Sequence, residues 1–314
     1  MATTTQQIQS GKQLLNGLDF LWLEITNSCN LNCGHCYTKS GPDVPLFGTM
    51  QEQDWVTLLE DASENGCQMV QFIGGEPTMH PSLPTLIAQA DSIGYNLIEV
   101  FSNGTKLSEP VFQAYLDHKV HVAFSVYGPN AQIHDEVTRR PGSFERTVKT
   151  IRRVVDAGLS TRVGIIGMES NKSYIDETEA FVRSLGVAHV GSGYVRGIGR
   201  GENHVAVQDP LDELCGHCWD GKLVVTPNGD AFPCAMARAY PVGNVSDGLV
   251  QVLDDLRLRK FREQMKSEQT MRMECGPDPG PCRPDCIPRQ GYDPGGAHWE
   301  YQKLPSSLPL VQLK

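Results

Sequence analysis

The sequence has little positive charge and no long apolar run. Lys and Arg number 27 against 37 Asp and Glu, so the net charge is −10. Nucleic-acid binding depends on basic patches that neutralise phosphates, so a general nucleic-acid role is disfavoured. No segment is long enough to span a membrane, and residues 1–17 lack the apolar stretch of a signal peptide. We therefore expect a cytoplasmic protein with no nucleic-acid or membrane partner.

Hydrophobic residues make up only 39% of the chain and aromatic residues 7%, whereas 31 glycines and 20 prolines indicate many loops. With 314 residues the chain is long enough for one large α/β domain and a smaller one. The chain also has ten cysteines. Without an export signal, these cysteines favour metal or cluster ligation over disulfides.

Three cysteines lie close together near the start, with gaps of three and then two residues: Cys29, Cys33 and Cys36, followed by Tyr37. Three thiolates on one loop can hold three corners of a cubane iron–sulfur cluster, since cysteine thiolates are the usual ligands of such clusters. No fourth cysteine is near, so one iron would stay open to another ligand. The alternatives are a zinc knuckle or a chance group of buried thiols.

Strand-like and helix-like segments alternate through the first two thirds of the chain. The predicted strands are 20–26, 69–74, 97–101, 120–126, 161–167 and 187–195. The predicted amphipathic helices between them are 51–65, 82–93, 108–118, 144–157 and 174–185. Apolar strands that alternate with helices predict a parallel sheet covered by helices.

The cysteine spacing, the aromatic residue after it and the preceding apolar strand resemble the radical S-adenosylmethionine (SAM) superfamily. The resemblance implies an α/β fold, a partial (β/α)6 barrel of the TIM type, with a [4Fe–4S] cluster at the three cysteines. SAM would chelate the open iron and be cleaved to a 5′-deoxyadenosyl radical that abstracts hydrogen from a substrate. In such barrels the chemistry lies at the C-terminal ends of the strands, and the three cysteines follow the first strand. No side chain is assigned as the principal catalyst.

The second predicted strand ends in Gly74, Gly75, Glu76 and Pro77. Two glycines let a backbone approach a ligand closely because no Cβ intervenes, and Glu76 offers an acceptor for an ammonium group. By the resemblance, this edge pairs with the methionine end of SAM, and Tyr37 packs near the adenine. An ordinary strand-to-helix turn and simple wall packing are the alternatives.

Two further strand ends resemble SAM-binding elements of the family. Ser102 and Asn103 begin a Ser-Asn-Gly-Thr segment after the third strand, and Ser125 begins Ser-Val-Tyr-Gly after the fourth. Tyr127 stands where the family usually has Asp. Asn-Gly and Pro-Gly are also common turn dipeptides, so turn chemistry is the alternative for each residue.

Relatives often carry an arginine near the SAM carboxylate, in a segment that begins with His-Asp. Thr138 stands at that arginine's place here, so Arg139 or Arg140 would serve, and Arg140 is the predicted contact. Glu24 and Asp135 are candidates for a base, and the sequence selects neither.

Cys67 lies between a predicted helix and the second strand. We interpret it as a small buried hydrophobic residue. The functional alternative is a thiol that donates hydrogen, as a radical epimerase would require. Its place at the entering end of a strand, away from the predicted active end, argues against that role.

From residue 214 the composition changes. Residues 222–226 and 231–234 flank a Pro-Asn-Gly-Asp turn and are predicted to form a hairpin, followed by a helix at about 247–266. The spacing of Cys218, Gly229 and Cys234 resembles the SPASM and twitch extensions of radical SAM enzymes, which hold auxiliary iron–sulfur clusters. The resemblance therefore implies a small cysteine-rich C-terminal domain.

Six cysteines in this part are predicted metal ligands: Cys215, Cys218, Cys234, Cys275, Cys282 and Cys286. Two complete four-cysteine auxiliary clusters would need eight ligands, so we predict at least one auxiliary cluster. By analogy Cys215, Cys218, Cys234 and Cys286 hold it, and the roles of Cys275 and Cys282 stay open. A zinc ribbon is the alternative, because Cys-x2-Cys beside a hairpin also describes that motif.

These features divide the chain into an N-terminal segment (1–17), a radical SAM barrel (18–205) and a SPASM- or twitch-like extension (206–314). The predicted function is oxidative cross-linking or another modification of a ribosomally made peptide. A separate leader-recognition protein or direct leader binding would bring the peptide, and flavodoxin or ferredoxin would supply electrons. The alternatives are a dehydrogenase or epimerase of a sugar or aminocyclitol, and a zinc-binding module without catalysis.

Overall fold

The computed structural model describes residues 17–216, 218 and 221–273, with side chains to residue 267. Its centre is a parallel sheet whose strands follow one another in the order β6-β5-β4-β3-β2-β1. These strands are β1 (Phe20–Thr26), β2 (Met69–Gly74), β3 (Leu97–Ser102), β4 (His121–Ser125), β5 (Thr161–Gly167) and β6 (His189–Tyr194). All six predicted strands are confirmed: β1, β2 and β5 have the predicted ends, and the other three differ by one or two residues.

Six helices connect these strands: α1 (Glu52–Glu64), α2 (Leu83–Ile93), α3 (Glu109–Asp117), α4 (Ala131–Thr138), α5 (Ser143–Asp156) and α6 (Ile175–Ser184). Five were predicted from their amphipathic pattern, and the short α4 was not. No helix in the part of the chain that the structure describes is both long and apolar enough to cross a bilayer.

The two faces of β1 pack into different clusters because successive side chains of a strand point to opposite sides. Leu21 and Leu23 are buried in the main core with the helices, including Trp55 of α1. Phe20 and Trp22 are buried in a second cluster on the barrel side. This alternation places the core under the helices and leaves the barrel interior for the site.

The C-terminal extension continues the barrel sheet. Strand β7 (Lys222–Val225) runs parallel to β1, with Lys222 opposite Phe20. Strands β8 (Asp230–Phe232) and β9 (Gly243–Asn244) then follow antiparallel, so the described residues form one nine-stranded sheet. The predicted hairpin is therefore present, and the predicted boundary at 205/206 divides two parts of one sheet.

The single helix predicted at 247–266 is wrong, because the structure has two helices there. These are α7 (Leu249–Asp254) and α8 (Leu256–Met273), separated by the extended backbone of Asp255. The Asp255 carboxylate accepts a hydrogen bond from the backbone N–H of Arg257 at 2.7 Å. A carboxylate that accepts from the first turn of a helix favours a new helix start, which explains the break.

Candidate functional site

A cavity opens where the barrel strands end, and both groups of cysteines line it. Its lining includes Gly74, Ser102 and Ser125 from the ends of β2, β3 and β4. The six cysteines in the lining are Cys29, Cys33, Cys36, Cys215, Cys218 and Cys234. Trp22 and Phe101 supply apolar wall from the barrel interior. The fold thus brings together cysteines that are far apart in the sequence.

The first three cysteines lie on the cluster loop, defined here as residues 29–41. The loop closes on itself because the Cys29 N–H donates to the Gly41 carbonyl at 3.1 Å. The Cys29 sulfur accepts from the Leu31 N–H at 3.4 Å and from Asn103 Nδ2 at 3.6 Å. Burial, and then the charge of Glu76, raise the pKa of the Cys29 thiol to about 12. Ligation requires the thiolate, so a metal would replace this proton.

Asn103 and Ser102 both line the cavity, as predicted SAM-binding residues should. Asn103 Nδ2 also donates to Asn30 Oδ1 at 2.8 Å, and this contact holds Asn103 against the cluster loop. Ser102 Oγ donates to the Glu76 carboxylate at 2.8 Å. Ser125 lines the cavity as well. Their assignment as SAM contacts stays a prediction that their position supports.

Glu76 lies outside the cavity lining, and its predicted role as an acceptor for SAM has no support from its position. The side chain is fully buried, and its carboxylate accepts from Thr78 Oγ1 at 2.6 Å and from the Asn103 N–H at 2.7 Å. Burial raises the pKa of Glu76, although these hydrogen bonds lower it in part. Glu76 therefore joins the β2 end to the β3 end. Pro77 is buried beside it and also does not line the cavity.

Gly74 and Gly75 line the cavity, but the contact that requires glycine is with the protein itself. A Cβ at Gly75 would overlap the carbonyl of Ser28, and one at Gly74 would overlap that of Thr26. The Gly75 N–H donates to the Thr26 carbonyl at 2.7 Å. The glycines thus let the β2 end pack directly against the segment that leads into the cluster loop. The ligand-approach explanation of the sequence pattern was incomplete.

Tyr37 lines the cavity, and its hydroxyl donates to Glu24 Oε1 at 3.0 Å. The guanidinium of Arg238 lies 5.3 Å from the centre of the Tyr37 ring. Glu24 is buried and occupied by these partners, so it does not face the cavity as a base. Tyr37 is placed to form wall beside the cluster loop, which fits either packing against adenine or simple wall packing.

Arg140 is exposed and does not line the cavity. Helix α4 ends at Thr138, and Arg139 takes a left-handed conformation with φ of 55°. This turn places Arg139 beside the cluster loop, where a Cβ at Gly34 would lie 3.2 Å from Arg139 Nη2. Neither arginine lines the cavity, and Arg139 is the one beside the cluster loop, so the contact of Arg140 with the SAM carboxylate stays a prediction.

Asp135 does not line the cavity, so it is not placed as a base. Its carboxylate accepts from Ser143 Oγ at 2.7 Å and from the Phe144 N–H at 2.8 Å. These bonds satisfy the first turn of α5, whose N–H groups have no partner inside the helix. Asp135 is therefore the external cap of α5.

The second group of cysteines lies around β7 and β8. Cys218 and Cys234 are buried with their sulfur atoms 3.1 Å apart. Hydrogen bonds with Cys215 and Cys234, together with burial, raise the pKa of the Cys218 thiol well above its usual value. Cys215 is half-buried beside them, and three neighbouring thiols suit ligation of an iron–sulfur cluster. Cys275, Cys282 and Cys286 lie outside the described residues, so the fourth ligand stays a prediction.

The donor sets fit iron–sulfur clusters. In the described residues no three or more His, Cys, Asp or Glu side chains surround a point that suits a single metal ion. A cluster makes a different demand, because several cysteine thiolates share a group of iron atoms. At the first site the donors are three thiols on one loop, beside the Asn103 amide and against a cavity with room for a further ligand.

Cys67 is 3% exposed and belongs to the main core beneath the helices. Its sulfur donates to the Met69 carbonyl at 3.3 Å, and it is not part of the cavity lining. Burial raises the pKa of this thiol to about 12. Its position supports the interpretation as a small hydrophobic residue and does not support a hydrogen donor.

Sequence reasoning missed several cavity residues: Trp22, Gln71, Arg196 and Lys222. Gln71 carried a signal, since it is a polar residue inside the apolar run of β2. Such a residue on a buried strand faces either a partner or a site. Lys222 carried none, because only the pairing of β7 with β1 brings it to the barrel.

Comparisons with known proteins agree with this geometry. A family model described as the radical SAM superfamily matches residues 23–182. A second, described as an iron–sulfur cluster-binding domain, matches residues 215–286. The second range covers the three cavity cysteines of the extension and the three cysteines beyond the described residues.

Among curated proteins, the antilisterial bacteriocin subtilosin biosynthesis protein AlbA of Bacillus subtilis is 27% identical over 290 residues, which are 80% of this chain and 64% of AlbA. The sporulation killing factor maturation protein SkfB of the same organism is 27% identical over 211 residues, covering 64% of this chain and 50% of SkfB. The chain thus spans less than two thirds of the length of these relatives.

Among solved structures, Streptococcus suis SuiB bound to its precursor peptide SuiA superimposes with a TM-score of 0.67. The sequence identity is 15%, and the match covers 81% of this chain and 68% of that one. At this identity the likeness concerns the fold, which it confirms as the α/β barrel with its extension.

Proposed function

This chain belongs to the radical SAM superfamily, and from that membership we propose that it oxidatively cross-links or otherwise modifies a ribosomally made peptide. Cys29, Cys33 and Cys36 would hold the [4Fe–4S] cluster that binds SAM. Cys215, Cys218 and Cys234 would supply ligands to at least one auxiliary cluster. When bound, these groups supply abstraction of a hydrogen atom from an unactivated carbon and an acceptor for the second electron.

One observation carries the proposal: the two cysteine groups line the same cavity. A substrate in that cavity would lie beside both sites at once. An oxidative outcome needs such an arrangement, because a substrate that loses a hydrogen atom must lose a second electron to form a stable product. An enzyme that returns a hydrogen atom to the substrate radical would not need the auxiliary cysteines as ligands of an acceptor for a second electron.

The side chains of the cavity bind and enclose the substrate. Trp22, Phe101 and Tyr127 contribute apolar surface that excludes water from the reacting centre. Lys222 and Arg196 are the charged side chains among the described lining residues, and no Asp or Glu lies with them. This lining suits a peptide segment that is apolar or carries a carboxylate, rather than a basic one.

The relatives support a peptide as the substrate class. AlbA is named for bacteriocin biosynthesis, SkfB for maturation of a killing factor, and SuiB was solved with a precursor peptide. A separate leader-recognition protein or direct leader binding would deliver the peptide, and a flavodoxin or ferredoxin would supply the electron. Ligating thiolates require reducing conditions, so we place this activity in the cytoplasm.

The test is anaerobic co-expression of the chain with each short reading frame beside its gene, followed by mass spectrometry of the peptides. We expect one peptide to become lighter by two hydrogens, and the control is a variant with Cys29, Cys33 and Cys36 replaced by Ala. Slow formation of 5′-deoxyadenosine without any peptide change would contradict the proposal and favour a small-molecule dehydrogenase or an epimerase. Colourless protein that holds zinc and leaves SAM intact would favour the zinc-binding module.

A further inference from the structure

The segment that follows β6 donates hydrogen bonds to backbone carbonyls of the cluster loop. We define the clamp segment as residues 199–204. Its Arg200 donates from the backbone N–H to the Cys36 carbonyl at 2.8 Å. The Arg200 side chain donates from Nε to the Cys33 carbonyl and from Nη2 to the Ser40 carbonyl, each at 2.7 Å. One residue therefore contacts the cluster loop at three carbonyls, two of which belong to predicted iron ligands.

His204 adds a fourth contact from the same segment. Its Nε2 donates to the Gly34 carbonyl at 3.2 Å. Inside the loop, the Cys33 carbonyl accepts from the Cys36 N–H and the Cys36 carbonyl accepts from the Lys39 N–H, each at a longer 3.4 Å. The clamp segment adds a shorter bond to each of these two carbonyls, although Arg200 is 167 residues from Cys33 in the sequence.

The close approach depends on glycine at the start of the clamp segment. Gly199 has φ of +64°, and a Cβ there would overlap the carbonyls of Tyr37 and Cys36. A side chain at this position would therefore both strain the backbone and push the segment off the loop. The clamp segment and the cluster loop are fitted to each other along their backbones.

Arginine has the geometry and the charge that this contact uses. Its planar fork donates two bonds in fixed directions, and here the fork spans the carbonyls of Cys33 and Ser40. An arginine side chain carries a positive charge, so Arg200 places a cation beside the loop. A cluster held by three thiolates gains negative charge on reduction, and a nearby cation favours the reduced form.

We propose that Arg200 is a positioning residue for the cluster loop: its fork holds the loop in the shape that lets three thiolates share one cluster, and its charge raises the cluster's reduction potential. Neither effect depends on the identity of the substrate.

The first test measures alkylation of each cysteine by iodoacetamide in the reconstituted holoenzyme, read by peptide mass spectrometry. Loss of an outer partner of a metal ligand weakens ligation by roughly tenfold or more, so Arg200→Gln should raise alkylation of Cys29, Cys33 and Cys36 by about that factor. Arg200→Lys should raise it too, because a single ammonium cannot span both carbonyls. Cys67 in the core and Cys215 in the auxiliary site should react as in the parent.

Glu202→Gln is the matched control within the clamp segment. Glu202 pairs with Lys39 at 3.5 Å, and both side chains are more than half exposed. It touches the cluster loop region without bonding to the ligands' carbonyls, so its variant should match the parent. Equal alkylation of the three loop cysteines in Arg200→Gln and in Glu202→Gln would overturn the positioning role.

The reduction potential of the cluster tests the electrostatic effect of Arg200 separately from its hydrogen bonds to the loop. We would titrate, by electron paramagnetic resonance, the cluster signal that changes on addition of SAM. Arg200→Gln should lower the midpoint, by about 59 mV for each tenfold change in the one-electron equilibrium. Arg200→Lys should return most of that shift while its loop cysteines stay reactive. An unchanged midpoint in Arg200→Gln would overturn the electrostatic part.

If Cys67 also becomes reactive in the Arg200 variants, those variants have lost the fold of the core. The variant His204→Ala then tests whether the clamp segment protects the loop cysteines. This variant removes a single bond from an exposed residue, and it should raise alkylation of Cys33 and Cys36 while leaving Cys67 protected. Parent-like reactivity in His204→Ala would contradict the clamp. No peptide is present in these experiments, so their outcome is independent of the peptide test above.

Discussion

Glu24 of β1 forms a buried ion pair with Arg238, which follows β8 in the C-terminal extension. The Glu24 side chain is 1% exposed and that of Arg238 is 20% exposed. Glu24 also accepts from the Tyr37 hydroxyl of the cluster loop. One carboxylate therefore joins the barrel, the cluster loop and the extension that carries the auxiliary cysteines.

Breaking this ion pair should destabilise the chain strongly. Arg238→Met leaves the Glu24 carboxylate buried without its cation, which typically costs about 3–5 kcal/mol. We expect a loss of that order in the free energy of unfolding, measured by urea denaturation. The double variant Glu24→Leu/Arg238→Met should be less destabilised than the sum of the single variants, because it leaves no unpaired charge.

The exposed pair of Arg153 and Glu109 is the control for this prediction. Its side chains are 36% and 79% exposed, and an exposed ion pair contributes little to stability because water and salt screen the two charges. Arg153→Met should therefore change stability little. Similar losses in the free energy of unfolding from Arg153→Met and Arg238→Met would show that the buried Glu24–Arg238 pair contributes no more to stability than an exposed pair.

Gly75→Ala should be strongly destabilising, because its Cβ would overlap the Ser28 carbonyl and backbone cannot move aside easily. We expect a loss of at least about 2 kcal/mol from overpacking, together with less iron at the cluster loop. Gly41→Ala is the matched control, since its Cβ would make an ordinary contact of 3.7 Å with Asn32 Oδ1. Denaturation and iron analysis of both variants would check this, and equal behaviour would contradict it.

Asn103→Asp should weaken the first iron site while leaving the fold intact. The substitution replaces an N–H donor near the Cys29 sulfur and Asn30 Oδ1 with a negatively charged acceptor. Loss of such an outer partner lowers metal affinity by roughly 10–100-fold. Iron retained against a chelator is the measurement. Asn96→Asp, at an exposed amide that bonds to Gln68, should retain iron like the parent.

Asp135→Asn should lower stability at neutral pH and matter less in acid. Burial alone would raise the pKa of Asp135, but hydrogen bonds from Ser143, Phe144 and Gly142 outweigh it, and the pKa lies below its ordinary value. A carboxyl with a depressed folded pKa contributes stability above its unfolded pKa of about 3.9, and this contribution is lost as the pH falls through the folded value.

We therefore expect Asp135→Asn to cost about 1–2 kcal/mol at pH 7, the usual effect of losing a helix cap. The difference from the parent should shrink below about pH 4 in thermal melts across a pH series. Asp43→Asn, at an exposed carboxylate, serves as the control. A difference that stays constant down to pH 3 would show that the ionised carboxylate is not what caps α5.

Cys67→Ala tests whether this thiol is structural. Removing a sulfur from the core should cost about 1 kcal/mol of stability, while SAM cleavage and iron content should stay at the parent level. Denaturation and 5′-deoxyadenosine release would be measured on the same preparation. Parent-like stability with a changed product would favour the hydrogen-donor role instead.

The sequence by itself determined the parts of this protein that depend on neighbours along the chain. Strands β1 to β6 follow from apolar runs of strand length, and the hairpin of β7 and β8 from its Asn-Gly turn. The cysteine spacing on the cluster loop predicted the first metal site and identified the family. These signals act over a few residues, so they are readable without a fold.

Only the tertiary structure decided which distant residues meet. In the fold, Lys222 pairs with Phe20, and the Glu76 carboxylate accepts from the backbone at the end of β3 instead of facing the cavity. Arg200 donates to the carbonyl of Cys33, which is 167 residues away in the sequence. Periodicity describes which face of an element is apolar, but it does not say which element covers that face or which polar group fills a gap. Those choices depend on how the whole sheet closes around the site, so the supports of the cluster loop could not be predicted from its own sequence.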